Sequence, residues 1–395
     1  MLDTTRHTHR RRPIVRKLGI AVWSWDEDWE RQLLTAKSLG FSYIRLVLMI
    51  NRSDLGKSFD NIFDRYEKVV AKAQELELDL IVSWSTDYLS KLKQPYIDYQ
   101  DTRCVLSTDQ LALLKSAIKS FIKAHAGQGI VYEAFNEAMG DFWSSSGTAR
   151  TNPNDVHSWV SFDRWLGAEV KKLDSTSTYA TLCGTGCPGD YLQPTYSGIA
   201  EQQGLFDNNA DLVSWHPYVE AEYDDGRPEH LLTSGQMRNV SVETADLPMI
   251  STEFGYSRFR DNENYTWQGL WNIDDAANYT VRQALLLDML GWPIIGVFDM
   301  GYDNYGLLDW PAEVNKVGMA LKELSKNLAG FSFEQRVDCQ NPNLFCLKYV
   351  SFSGDVVFVY WAAKYQGEAS ISIDGRQVSL LFTESPQYLR QQAQD

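Results

Sequence analysis

Eight short apolar runs, most of them followed by a stretch with helical periodicity, restrict the fold of this sequence more than any other feature. The runs cover residues 19–25, 43–48, 80–84, 130–135, 179–183, 212–215, 249–252 and 294–298. Strands that alternate with helices build either a closed (β/α)8 barrel or an open doubly wound sheet. The open sheet would need a glycine-rich phosphate loop after an early strand, and the sequence has no such pattern. The sequence therefore predicts an α/β fold with a (β/α)8 TIM barrel over residues 18–329.

The pattern changes after residue 329. Apolar runs at 331–337, 344–350, 356–361 and 369–373 follow one another with turn residues and no helical stretch between them. Asp374-Gly375 is a typical hairpin turn. We expect a small C-terminal antiparallel β-domain over residues 330–395. At the other end, residues 1–17 contain a basic run and are predicted to form a flexible N-terminus.

The charge balance restricts the partners of the chain. It has 37 Lys and Arg against 52 Asp and Glu, a net charge of −15. An acidic surface disfavours nucleic acid and anionic membranes and suits a neutral ligand. The sequence has no apolar stretch long enough for a membrane span and no recognisable signal peptide. A cytoplasmic location is therefore expected for the sequence as given, and an extracellular one if a leader was removed or release is non-classical.

The five cysteines argue against a disulfide framework, because their number is odd and small. Cys339 and Cys346 are placed where a bridge across a hairpin is possible, and free thiols are the preferred interpretation. The oligomeric state is not indicated by any pattern in the sequence.

Two glutamates stand directly behind predicted strands. Glu137 follows the fourth strand in an Asn136-Glu137 pair, and Glu253 follows the seventh. Active sites of these barrels lie at the carboxyl ends of the strands, so both side chains are expected at one rim. Two carboxylates at one rim suit glycoside hydrolysis, in which one protonates the leaving oxygen and the other attacks or stabilises the anomeric carbon.

These motifs, together with His216-Pro217-Tyr218 after the sixth strand, resemble glycoside hydrolase clan A, the retaining (β/α)8 glycosidases. The resemblance extends over roughly residues 18–328 and is shared between the family five cellulase-like and family thirty-nine β-xylosidase-like enzymes. It implies that Glu137 is the acid/base and Glu253 the nucleophile. It also implies a β-linked oligo- or polysaccharide as substrate and a reaction that needs no metal or cofactor.

The other candidate residues would serve these two carboxylates. Asn136 can donate to the sugar 2-hydroxyl, and Tyr218 and Arg45 can keep Glu253 ionised. Arg45 could equally pair with a barrel carboxylate such as Glu133. His216 is a candidate partner for a sugar hydroxyl or a carboxylate, or else a structural histidine.

Aromatic rings complete the predicted substrate site. Trp23, Trp84 and Phe298 fall in or near predicted rim segments, where a ring face can stack on a sugar. Most tryptophans of any barrel fill hydrophobic contacts instead, so core packing is the competing interpretation. Many clan members carry a Trp at the end of the eighth strand, where this chain has Phe298. Many also have Pro at the position of Ala138.

Three further functions stay open. A carbohydrate-binding barrel that has lost catalysis would explain the missing strand-eight Trp. Transglycosylation would use the same two carboxylates with a sugar in place of water. A metal-dependent barrel enzyme would use His216, Glu253 and Asp299 as ligands, although the chain has only six His and no H-E-x-x-H pair.

Overall fold

Eight parallel strands close into a barrel in sequence order, and the predicted TIM barrel is confirmed. The computed structural model describes residues 12–22, 27–50, 63–86, 108–137, 153–185, 209–221, 224–233, 247–258, 268–301, 304–309, 313–364 and 366–391. The barrel strands are β1 Leu18–Ala21, β2 Tyr43–Ile50, β3 Asp79–Thr86, β4 Val131–Phe135, β5 Thr178–Thr185, β6 Leu212–His216, β7 Met249–Ser251 and β8 Ile295–Val297. The first and last strands close the barrel with Gly19 beside Gly296.

Within the described ranges, a helix follows every barrel strand except β5, after which residues 186–208 lie outside those ranges. The helices are α1 Trp29–Leu39, α2 Asp64–Glu75, α3 Thr108–Ala124, α4 Pro153–Leu173, the single turn α5 His230–Thr233, α6 Ile273–Met289 and α7 Lys316–Asn327. α2 shows why these segments are helical: Tyr66, Val69, Val70 and Ala73 form one buried stripe at helical spacing. Within the described ranges, no helix is both long and apolar enough to cross a lipid bilayer.

The interior of the barrel has an apolar lower layer. A cluster of buried side chains from seven strands or strand ends fills it: Tyr43, Ile81, Val131, Ala180, Leu212, Ile250 and Ile294. Because strand residues alternate between faces, the next inward positions lie two residues further along each strand. Those positions, toward the carboxyl ends, include Arg45, Glu133, Ser214 and Thr252, which are buried and polar.

The C-terminal region consists of antiparallel sheets, as predicted. The short strands β9 Leu308–Asp309 and β10 Glu313–Val314 precede α7. The strands after α7 are β11 Phe331–Arg336, β12 Leu344–Ser351, β13 Val356–Ala362, β14 Gly367–Ile373, β15 Arg376–Phe382 and β16 Gln387–Gln391. A four-stranded sheet has the order β11-β12-β13-β16, and β14 pairs with β15. Asp374 and Gly375 form the β14–β15 turn with φ of 47° and 80°, as a tight hairpin requires. Cys339 and Cys346 are free thiols.

Two buried polar clusters join the β-sheets to the barrel. Lys17 donates to Asp288 of α6 at 2.6 Å, and Tyr349 of β12 donates to the same carboxylate at 2.9 Å. Lys17 is fully buried, and Ile14 beside it belongs to the main core. Residues 14–17 are therefore packed, which corrects the prediction of a flexible N-terminus for this part; residues 1–11 lie outside the described ranges.

The second cluster lies between α6 and β13. Arg282 of α6 pairs with Glu229 through two hydrogen bonds, and the indole Nε1 of Trp361 donates to Glu229 at 2.7 Å. Arg282, Glu229 and Trp361 are all at least nine-tenths buried. The segment that follows β6 is thus fastened to both the barrel wall and the C-terminal sheet.

Candidate active site

Arg45 is the centre of the polar layer and is fully buried on β2. Its Nε donates to Glu133 at 2.8 Å, its Nη1 donates to Glu253, and its Nη2 donates to Asn136 Oδ1 at 2.6 Å. Burial alone would lower the pKa of Arg45, but the carboxylates of Glu133 and Glu253 outweigh it and raise that pKa. Both interpretations of Arg45 thus hold, since it binds the barrel carboxylate and the candidate nucleophile together.

Glu133 anchors Arg45 from below. Besides the guanidinium, it accepts hydrogen bonds from the hydroxyls of Ser214 and Thr252. Burial would raise the pKa of Glu133, but Arg45 and then His216 overcome this, and the pKa lies below its ordinary value. Glu133 is therefore a buried, ionised carboxylate with its oxygens occupied, as a charged group in a protein interior requires.

His216 lies at the end of β6 between the two candidate catalytic carboxylates. Its Nδ1 is 2.7 Å from Glu137 Oε1 and 3.5 Å from Glu253 Oε2. Its Nε2 is 3.0 Å from Thr252 Oγ1, whose own proton goes to Glu133. Because that hydroxyl can only accept from the ring, Nε2 carries a proton. The bond between Nδ1 and Glu137 then holds one proton that belongs to the pair.

The charges around His216 make this proton stable. Burial would lower the pKa of His216, but Glu253, Cys183 and Glu137 together raise that pKa well above its ordinary value. Cys183 Sγ lies 3.7 Å from Nε2 and also 3.6 Å from Arg45 Nη2. The imidazole therefore retains its proton near neutral pH and can exchange it with Glu137.

Glu253 is held on both oxygens. Arg45 contacts Oε1, and the Tyr218 hydroxyl donates to Oε2 at 3.2 Å. Burial raises the pKa of Glu253 above its ordinary value, and His216 and Arg45 act in the opposite direction. Tyr218 and Arg45 thus both contact this carboxylate, and their role in keeping it ionised stays a prediction.

Glu137 is the most accessible of the three carboxylates, with 18% of its side chain exposed against 8% for Glu253. It follows β4 with a φ of 45°, and its backbone N–H donates to the Cys183 carbonyl at 3.1 Å. Oxygens of Glu137 and Glu253 lie within 4.8 Å of each other, with His216 in the same group.

The aromatic predictions have separate outcomes. Trp84 is fully buried and packs against Phe63, Phe121 and Tyr132, so it lies in the layer between the barrel and its helices. This corrects its predicted place in the substrate site. Its register explains the position: Arg45 lies beside Ile81, so residues 81 and 83 face inward and residue 84 faces outward. Trp23 lies outside the described residues.

Phe298 is half-buried at the end of β8 and joins an aromatic row. Its ring packs edge-on against Tyr305 at 5.7 Å, and Tyr305 packs edge-on against Tyr218 at 5.9 Å. The row therefore ends on the tyrosine that holds Glu253. Tyr305 was not among the predicted site residues; its place in a loop after β8, beside Gly306, was the available signal.

A metal ion would fit this site poorly. Within the described ranges, two groups place possible metal ligands within 4.8 Å of one another: Glu133, Cys183 and His216, and Glu137, His216 and Glu253. The Arg45 guanidinium already contacts Glu133, Glu253 and Cys183, and it would repel a metal ion there. Neither group contains Asp299, which the metal-enzyme hypothesis required.

The fold resembles that of several solved glycosidase structures. A family 39 glycoside hydrolase from Bacteroides cellulosilyticus WH2 has 15% identity and a TM-score of 0.66, and the aligned region covers 97% of this chain and 81% of that protein's chain. A glucosidase from Croceicoccus marinus has 14% identity and a TM-score of 0.62, covering 95% and 83%. A family 39 β-xylosidase from Caulobacter crescentus has 15% identity and a TM-score of 0.58, covering 90% and 80%.

Sequence comparison adds no closer relative, since no family model and no curated protein sequence matches this chain. At 14–15% identity the structural likeness establishes a shared fold. It extends over the barrel and the C-terminal sheets together, because it covers nine-tenths or more of the chain.

Proposed function

We propose that this chain is a retaining glycoside hydrolase that cleaves β-glycosidic bonds of an oligo- or polysaccharide. The observation that carries the proposal is that one carboxylate oxygen of Glu137 and one of Glu253 lie within 4.8 Å of each other, which supports the shorter of two known carboxyl separations. Retaining enzymes place their carboxyl groups about 5–5.5 Å apart, whereas inverting enzymes need about 6.5–9.5 Å to admit a water. The clan A resemblance and the fold of the similar structures support the same function.

The charges around the two carboxylates support different roles for them. Glu253 is paired with Arg45 and hydrogen-bonded by Tyr218, which favours the ionised form that a nucleophile needs. Glu137 is paired with His216 and shares its proton. Three carboxylates face two cations, Arg45 and protonated His216, so one further proton balances the site. Glu137 is suited to receive that proton and to act as the acid.

The first half of the reaction then forms a glycosyl ester. A carboxylate oxygen of Glu253 attacks the anomeric carbon while the bond to the leaving oxygen breaks, and Glu137 gives its proton to that oxygen. Asn136 accepts from Arg45 through Oδ1, so its amide nitrogen is left to donate to the sugar 2-hydroxyl.

The second half releases the sugar with its anomeric configuration retained. Glu137, now ionised, takes a proton from a water that attacks the anomeric carbon, and the ester bond to Glu253 breaks. His216 stabilises the ionised Glu137 between the two steps through the 2.7 Å bond.

The test is sugar release from a panel of β-linked polysaccharides and aryl β-glycosides, beginning with glucosides and xylosides. We expect turnover on at least one substrate and a loss of about 10³-fold or more in Glu253→Gln. In Glu137→Gln we expect a loss of about 10²–10⁴-fold, the contribution of a general acid. Binding of a sugar by both wild type and Glu253→Gln, without turnover on the full panel, would instead support a carbohydrate-binding barrel.

The anomer produced tests the mechanism separately. NMR of the first product should show the β-anomer before mutarotation. Azide added to Glu253→Ala should give the α-glycosyl azide, because azide then attacks from the face that the carboxylate has left. An initial α-product from wild type would contradict the retaining mechanism and leave the hydrolase function intact.

A further inference from the structure

The two segments that carry the proposed catalytic groups stop pairing with each other just before those groups begin. β6 and β7 pair as far as Trp215 beside Ser251. His216, Tyr218 and Glu253 lie beyond that point. Their mutual placement therefore depends on contacts outside the β6–β7 ladder, and two buried glutamines are among the residues that supply them.

Gln283 of α6 is the first. Its Nε2 donates to the Pro217 carbonyl at 2.6 Å, and its Oε1 accepts from the Tyr256 hydroxyl at 2.8 Å. Pro217 stands between His216 and Tyr218, and Tyr256 follows Glu253 by three residues. Gln283 is fully buried and so is screened from water.

Gln268 is the second. Its Nε2 donates to the Val219 carbonyl at 2.9 Å and to the Gly255 carbonyl at 2.8 Å. Val219 directly follows Tyr218, and Gly255 is two residues beyond Glu253. Gln268 is also almost fully buried. The two amides thus join the same pair of segments at successive points.

We propose that Gln283 and Gln268 are positioning residues that fix the distance between Tyr218 and Glu253 and between His216 and Glu253. Gln283 uses the donor and the acceptor of its planar amide, and Gln268 uses the two protons of its amide nitrogen, so each side chain can hold two segments in one register. A displacement of about 1 Å at a catalytic group can cost about 10²-fold in rate, which makes such a brace effective. Nothing in the predicted motif pointed to either residue, since both lie outside the strand ends.

The decisive variant is Gln283→Met, which keeps the volume and removes both hydrogen bonds. We expect kcat to fall about 10–100-fold with KM changed less than about threefold. The contacts that bind the sugar remain, whereas Glu253 and the residues that hold it are displaced from each other. The acid limb of the pH profile should move to higher pH as the Tyr218 bond to Glu253 weakens.

Thr280→Val is the matched control. Thr280 is buried on the same helix, and its hydroxyl donates only along the helix, to the Ala276 carbonyl at 2.7 Å. It should leave kcat, KM and the pH profile unchanged. Tyr256→Phe is a milder second variant that removes one of the two Gln283 contacts, and it should change kcat in the same direction by a smaller factor.

The kinetic readout rests on the proposed function, so hydrogen–deuterium exchange of the free protein is measured alongside it. Amides of residues 216–221 and 253–257 should exchange faster in Gln283→Met and Tyr256→Phe than in Thr280→Val. Faster exchange without turnover by wild type would support the brace and reject the hydrolase. Unchanged exchange together with an unchanged pH profile in both variants would overturn the positioning role.

Discussion

The lower and upper layers of the barrel interior come from the same strands and differ in almost every property. Moving two residues along a strand changes Tyr43 to Arg45, Ile81 to Ser83, Val131 to Glu133, Leu212 to Ser214, Ile250 to Thr252 and Ile294 to Gly296, whereas Ala180 leads to another apolar residue, Leu182. That step is about 6.5 Å, the rise of two strand residues. The interior thus passes from hydrocarbon to a charged network within one layer.

The difference separates two tasks. The lower layer contributes apolar burial, whose effect on stability is nearly independent of pH and salt. The upper layer holds Arg45 and Glu133 out of water, at a desolvation cost that their mutual attraction only about offsets. The upper layer therefore serves to orient Glu253 and Asn136 through Arg45. Substitutions in the upper layer should reduce activity more than stability, and substitutions in the lower layer should do the reverse.

The largest effect is expected for Arg45→Met, which leaves Glu133 and Glu253 without their cation. Breaking a buried pair from one side costs about 3–5 kcal/mol, and activity should fall about 10³-fold. The double variant Arg45→Met/Glu133→Leu should recover part of the stability, because no uncompensated charge remains at residue 133, and none of the activity. Urea unfolding and kcat/KM measure both; a double variant less stable than Arg45→Met would contradict the comparison.

Ile250→Ala tests the lower layer on β7, three residues before the candidate nucleophile. The cavity should cost about 2–5 kcal/mol of unfolding free energy, and Ile250→Val about 0.5–1.5 kcal/mol. At temperatures where both variants stay folded, kcat/KM should remain within about twofold of wild type. A loss of activity in proportion to the lost stability would show that the two layers are not separable.

Tyr218→Phe tests how Glu253 is kept ionised. Burial raises the pKa of Glu253, and a hydrogen bond to the ionised form opposes that rise. Without the hydroxyl the pKa rises further, so the acid limb of kcat/KM should move to higher pH, with about a tenfold lower rate on that limb. The alkaline limb should stay in place, and a shift of both limbs together would argue against this assignment.

The smallest effect concerns stability in acid. The pKa of Glu133 lies below its ordinary value of 4.5. Its contribution to stability is complete above that ordinary value and is lost as the pH falls through the lower, folded-state pKa. The free energy of unfolding of Glu133→Gln should therefore be lower than that of wild type near neutrality and fall less steeply below pH 4.5. Urea midpoints across that range, with Ile250→Val as a parallel-sloped control, measure the difference.

The strand–helix alternation was sufficient to predict the barrel, and its end after residue 329 to predict the C-terminal sheets, because hydrophobic periodicity reports burial directly. The site was predictable where a residue directly follows a strand, as with Glu137 and Glu253. Trp84 was predicted at the rim, but the structure shows Ile81 facing the barrel interior, and the alternation of strand residues then turns residue 84 outward.

Other parts of the site depend on contacts that no local pattern records. Cys183 reaches Arg45 and His216 because residues 182 and 183 of β5 adopt φ of 80° and 45°, and neither Leu nor Cys signals such a backbone. Gln283 acts from a helix about 30 residues beyond Glu253 in the sequence. Its contacts arise from the packing of α6 against two loops, and helical periodicity marks it only as buried.

The hydrogen bond from Trp361 to Glu229 makes the C-terminal sheets part of the packed structure of the barrel, unlike an accessory domain on a flexible linker. Without that indole, the ion pair of Glu229 and Arg282 would be exposed to solvent. The surface of the barrel at this place is therefore completed by the C-terminal sheet. A shortened chain that ends after α7 would expose a charged pair and the apolar bed of β13. We therefore expect the barrel and the sheets to be stable only together, so that a recombinant protein would have to take both from the same parent.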